Sequence, residues 1–288
     1  MNRITEKRFG KGAHKDRFDS RDYKFSEIAK ALPPFDWDKG FDIEEKLGLK
    51  LPVKNQGTSG SCGGQAWSYY GEVLEALNSK TFEERSAKFI YAQTAVPGGG
   101  SAGRENCNVV IKQGWAREQV LSSYENGQPP SEEFISRSED ITSEVRADAS
   151  NSKALKYAMA DLNIEAFAQA IKANNGLIMG IQGRNNGTWL SMYPKAEDKP
   201  EWAHWMYLGK AKVIDGKKFI GALNSWGDQV GEGGWQWFGE EWFQNNLIFN
   251  GWTIYYDEDY ALKLKKIGII KQLLEASKKL LSLLTRKA

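Results

Sequence analysis

The sequence predicts an α+β fold in two packed lobes, on three observations. Apolar positions in the first half recur at spacings of three and four. Those of the second half fall in short aromatic or β-branched runs punctuated by glycine. No internal repeat joins the two halves, so a helical lobe followed by a strand-rich lobe with a cleft between them is the expected arrangement.

Taken in order, residues 1–35 are charged, lack apolar periodicity and end in Pro33-Pro34, which reads as a lead-in that either wraps the body or stays disordered. The body is expected over 36–258, with a helical lobe at about 50–150 and a strand-rich lobe at about 151–258. From Gly63, the positions Ala66, Tyr70, Val73, Leu74 and Leu77 form the stripe of a helix buried on one side. SAKFIYAQTA is helical until Pro97 and the glycines 98–100, and a second helix ends near Gly114. SYENGQPPSEEF is a turn-rich boundary. IEAFAQAIKA is a helix stopped by Asn175-Gly176, and LIMGIQG, HWMYLGKAKVI, KKFIGAL and WTIYYD are strands. Residues 259–288 place Ile267, Ile270, Leu274, Leu281 and Leu284 on one face with lysines opposite, a basic amphipathic helix suited to an anionic membrane surface, a partner helix or its own domain.

Composition narrows the function. With 288 residues, 41% of them hydrophobic, the chain can build its own core. Two cysteines cannot form a disulfide framework and fit a reducing compartment. The N-terminus lacks the apolar stretch of a secretory signal, and no segment reaches the length of a membrane span, so a cytoplasmic protein is expected, with virion association compatible. Residues 263–288 carry eight Lys/Arg against Glu275, which leaves the rest of the chain mildly acidic and argues against a nucleic-acid surface. His14, Cys62, Cys107 and His204 have none of the short spacings of a metal site, so neither metal nor cofactor is expected.

Four residues could carry chemistry. Cys62 follows the run GTSGS at the start of a helix, where the dipole and unpaired amides favour thiolate, though a buried structural cysteine would look the same. His204, at the opening of a strand, is the one good base for such a nucleophile, although a packed histidine is its plain alternative. Asn224 in NSWG could accept from the imidazole and fix its tautomer, with Trp226 covering that bond; in isolation the segment is an ordinary turn. Gln56, six residues before Cys62, could aim an amide donor at an oxyanion, paired with the Cys62 N–H.

Together, PVKNQGTSGSC before a helix, a histidine opening a strand and NSWG resemble the papain family of cysteine peptidases, over about 34–257; the DSRDYKF lead-in resembles compact bacterial and viral members. His204 and Asn224 follow Cys62 by 142 and 162 residues, a slightly stretched form of the family spacing. The resemblance implies a two-lobed papain-like fold and an endopeptidase acting on peptide or protein substrates. It makes Cys62 the nucleophile, His204 the acid and base, Asn224 the orienter and Gln56 the oxyanion donor. It also implies a peptide-laying backbone at Gly98, Gly99 and Gly100, and substrate contacts at Ala203 and Trp226, the small Ala203 suggesting room for an apolar side chain.

The match departs in places. Gly63 stands where the family has an aromatic residue, Ser59 where it has a disulfide cysteine, and Val230 where a second tryptophan commonly follows NSWG. A long helical propeptide is absent from the pattern, which leaves the short lead-in as the segment able to occlude the cleft. Two other classes share parts of this pattern: a catalytically inactive papain-like module that clamps peptides, and another Cys/His acyl-transfer enzyme such as a cell-wall endopeptidase or a transglutaminase-like protein.

Overall fold

The computed structural model describes Glu6 and residues 9–29, 32–154 and 156–255; the helix expected over 259–288 lies outside the described residues. The chain opens with β1 (Ala13–His14) and α1 (Phe25–Ala29), then β2 (Phe41–Asp42) and α2 (Ile43–Leu47). Asp42 caps α2 by accepting from the Glu44 N–H, and Gly48, at φ 69°, ends it in the left-handed conformation that a side chain would resist. The helical lobe follows with α3 (Cys62–Ser79), α4 (Ala87–Tyr91), β3 (Ser101–Ala102), α5 (Gly103–Lys112), α6 (Glu132–Ile135) and α7 (Ser143–Ala149).

The second lobe adds β4 (Lys156–Met159), α8 (Ile164–Asn174), β5 (Leu177–Gly183), β6 (Trp202–Ile214), β7 (Lys217–Leu223), β8 (Trp235–Gly239), α9 (Glu241–Gln244) and β9 (Ile248–Tyr255). Its antiparallel sheet runs β4-β9-β5-β6-β7-β8, and β2 joins β6 from the other lobe's side of the chain. The β6–β7 hairpin turns on Asp215-Gly216, both at positive φ, as the Asp-Gly signal requires. Helix α8 begins on an Asn163 cap and stops at Asn175, as the Asn-Gly pair predicts.

This is the α+β, two-lobed architecture expected. One element differs in its surroundings. Helix α3 was expected to bury one face, yet Trp67, Ser68, Tyr69 and Tyr70 are all buried. The reason is its place between the lobes: the Trp67 carbonyl accepts from the Trp115 indole at 2.8 Å on one side, and the Tyr70 hydroxyl lies 2.8 Å from the Gly176 carbonyl and 3.0 Å from Thr253 Oγ1 on the other. Cys62, Tyr70, Trp205 and Tyr207 share one core cluster spanning both lobes, so the start of α3 is fixed against β6.

Candidate active site

Cys62 is the first residue of α3 and is fully buried. Its thiol donates weakly to the Gly60 carbonyl at 3.8 Å. The backbone N–H groups of Trp205, Gly12, Gly63 and Cys62 itself favour the thiolate. Trp205, which directly follows His204 on β6, shares the core cluster of Cys62. Burial dominates the titration: it pushes the thiol up to about 11, and the surrounding amides pull the other way without prevailing.

His204 sits on β6 opposite Ile181, with its Nε2 3.0 Å from Asn224 Oδ1. The Asn224 amide has only one orientation open to it. Its Nδ2 donates to Gln236 Oε1 at 2.7 Å, while its Oδ1 also accepts from the Ser225 N–H at 2.7 Å. Gln236 is held in turn by donating to the Trp189 and Ser191 carbonyls. Asn224 therefore presents an acceptor, Nε2 carries the hydrogen, and Nδ1 keeps its lone pair. Nδ1 is buried and has no hydrogen-bond partner among the described residues. The Trp226 ring lies over the imidazole, centroids 4.7 Å apart. Burial pushes His204 down to about 3; the bond to Asn224 opposes this and the nearby Lys11 cation reinforces it.

Gln56 reaches the same place through backbone pairing. Its N–H donates to the Ser225 carbonyl at 2.8 Å, and the Gly227 N–H donates to the Lys54 carbonyl at 3.0 Å, which ties its loop to the loop bearing Asn224. Its Oε1 accepts from the Ser225 hydroxyl at 2.7 Å, which turns Nε2 toward the cleft. There Nε2 donates to the Ser59 carbonyl at 2.7 Å and to the Gly10 carbonyl at 3.1 Å.

That last partner belongs to the lead-in, which runs through the cleft. Phe9 stacks on Trp226 with centroids 5.2 Å apart, and the Gly10 N–H donates to the Gly57 carbonyl at 2.9 Å. Gly12 passes between Gly60 and Gly100, its carbonyl accepting from Ser101 N–H at 2.8 Å, and β1 pairs in parallel with β3. Side chains are excluded at both glycines: a Cβ would lie 1.7 Å from the Ser59 oxygen at Gly10 and 2.2 Å from the Gly60 oxygen at Gly12. Further on, Asp16 accepts from the Trp252 indole at 2.9 Å, and Arg104 pairs with Asp22 at 2.6 Å.

Of the remaining sequence-predicted residues, Gly100 is buried at the lead-in, Gly99 lends its carbonyl to the His14 ring at 3.0 Å, and Gly98 is exposed. Ala203 is half-buried opposite Gln182. The neighbouring Trp205 indole crosses to donate to the Ser101 carbonyl at 2.9 Å. Sequence reasoning missed Gln236, Lys11 and the two glycines of Gly10-Lys11-Gly12. Only the latter had a visible signal, the alternation of glycine with one lysine. Among the described residues no group of three or more His, Cys, Asp or Glu could hold a metal ion.

Comparison with known proteins places the fold. No family model matches the chain, and no curated protein matches it in sequence. Solved structures do. Xylellain, a cysteine protease from Xylella fastidiosa, superposes with a TM-score of 0.70 at 21% identity, over 90% of this chain and 100% of that one. Digestive procathepsin L 3 of Tenebrio molitor gives 0.58 at 15% identity, over 81% and 79%. The bromelain protease from Ananas comosus gives 0.58 at 16%, over 76% and 99%. The fold neighbours are thus papain-like cysteine proteases.

Proposed function

We propose that this chain is a cysteine-type endopeptidase whose cleft is closed by its own lead-in. The observation that carries the reading is the Gly10 carbonyl on Gln56 Nε2: the candidate oxyanion donor already holds a peptide oxygen of the lead-in, whose Gly12 packs against Gly60, two residues before Cys62.

In this reading Nδ1 of His204 takes the Cys62 proton, and the sulfur attacks the substrate carbonyl carbon. The oxyanion forms against Gln56 Nε2 and the Cys62 N–H. His204 returns the proton to the leaving amine as the C–N bond breaks. Water, deprotonated by His204, then releases the acid from sulfur. Asn224 keeps the imidazole in the tautomer that each step needs, and Gln236 keeps Asn224 from flipping.

The lead-in blocks this chemistry: its Gly10 carbonyl occupies Gln56 Nε2, and Gly12 packs against the Gly60 carbonyl two residues before Cys62. Closure also dries the site and leaves thiol and imidazole neutral. Departure of residues 9–14 would admit water and allow the ion pair to form.

The test is digestion of a peptide library, read by mass spectrometry, with the full chain and its Gly12→Ala variant. Cleavage by the variant that disappears on adding Cys62→Ala is expected. Binding of peptides without cleavage by any form would favour the clamp, a reading that the neutral, dry pair also accommodates.

A further inference from the structure

One half-buried carboxylate stands outside the machinery described so far yet touches both walls of the cleft. Glu132, in α6, accepts from the Gly60 N–H at 2.7 Å through Oε2 and from the Tyr91 hydroxyl at 2.5 Å through Oε1. The Tyr91 oxygen accepts in turn from the Gly100 N–H at 2.7 Å. Gly60 lies two residues before Cys62, and Gly100 one before the strand that pairs with the lead-in. The two walls are in contact: a Cβ on Gly60 would lie 2.6 Å from the Gly100 nitrogen. Tyr91 is fully buried, so its hydroxyl has little recourse to water.

We propose that Glu132, acting through Tyr91, is a positioning residue that clamps the Cys62 loop to the peptide-pairing strand and so sets the width of the slot that Gly12 fills. The proposal rests on the peptidase reading for its effect on substrate, but not for the clamp itself. A carboxylate suits the task because both ends must accept. A glutamine offers one accepting end, so either the Gly60 N–H or the Tyr91 hydroxyl proton is left without an acceptor. The two bonds to Glu132 tie together loops that no disulfide joins, since both cysteines are free.

The clamp has a residue-specific signature. Amide hydrogen exchange by NMR in the full-length protein should show Gly100 exchanging about tenfold faster in Tyr91→Phe, with Gly60 as in the parent, the effect of one lost hydrogen bond. Glu132→Ala, which removes both acceptors, should accelerate both glycines. In the Gly12→Ala background, either substitution should raise KM about tenfold for a peptide long enough to pair with Ser101, again the scale of one bond. Iodoacetamide, too small to span the slot, should alkylate Cys62 at the parent rate. Unaltered exchange at both glycines in both variants would overturn the clamp, as would alkylation falling in step with peptide turnover. If no form cleaves any peptide, the peptidase reading fails while the exchange pattern still decides the clamp.

Discussion

The lead-in and the residues it covers meet across one cleft and are built on opposite rules. Cys62, His204, Asn224 and Gln56 are each held by a second group: the α3 backbone, β6, Gln236 and Ser225. The lead-in at Gly10 and Gly12 is held by backbone bonds and by the absence of side chains. The first arrangement is made without the lead-in's atoms; the second depends on a fit that one methyl group would spoil. The difference teaches that the candidate residues are anchored by their own elements, whereas the lead-in is anchored by fit; in the proposed reading burial, not misplacement, is what silences the site.

The sharpest way to break this comparison is to remove a member of the anchored set. Gln56→Ala, in a chain freed of its lead-in, should lower kcat by about 10²–10³ as the oxyanion loses a donor. Steady-state kinetics on a peptide identified from the library would show it. A loss of only a few-fold would mean that Gln56 serves the lead-in and not the reaction.

Next in size is the fit of the lead-in. Gly12→Ala forces a methyl against the Gly60 and Gly100 backbone. Overpacking of this kind costs about 1–3 kcal/mol, so the closed state should lose about 10–100-fold in population and turnover should rise in proportion. Limited proteolysis of residues 9–14 would register the same opening.

The smaller effect is that of pH. His204 is depressed to about 3 in the closed state, below the ordinary 6.5, so closure retains its full strength above that value and weakens as pH falls below it. Cys62 is raised to about 11 from 9.0, so closure retains its strength below the ordinary thiol value and weakens as pH climbs through it. Proteolysis of the lead-in should therefore be slowest between the two. A rate that changes in one direction across the whole range would place its control elsewhere.

Each candidate site residue sits at a local signal in the sequence, which is why the sequence could nominate it. Cys62 follows small residues at a helix start, His204 opens an aromatic strand, and Asn224 ends a strand before a turn. The lead-in was harder. Gly10-Lys11-Gly12 has no periodicity, and its conformation is fixed by walls contributed by residues 57–60 and 100–101, far along the chain. Glu132 and Gln236 were invisible for a related reason: each is an ordinary polar residue whose role arises from partners 72 and 12 positions away. The burial of α3 on both sides was likewise beyond its own periodicity, because it comes from being enclosed between lobes.

The rate of Cys62 alkylation by a small haloacetamide, followed from pH 4 to 10, tests the central claim most directly. In the full-length protein the thiol should stay silent until well above neutrality. In Gly12→Ala it should react on the acid side of pH 7, and that acid limb should vanish when His204→Ala is added. Ready alkylation of the unaltered protein at pH 6, or an acid limb that survives without His204, would contradict the account.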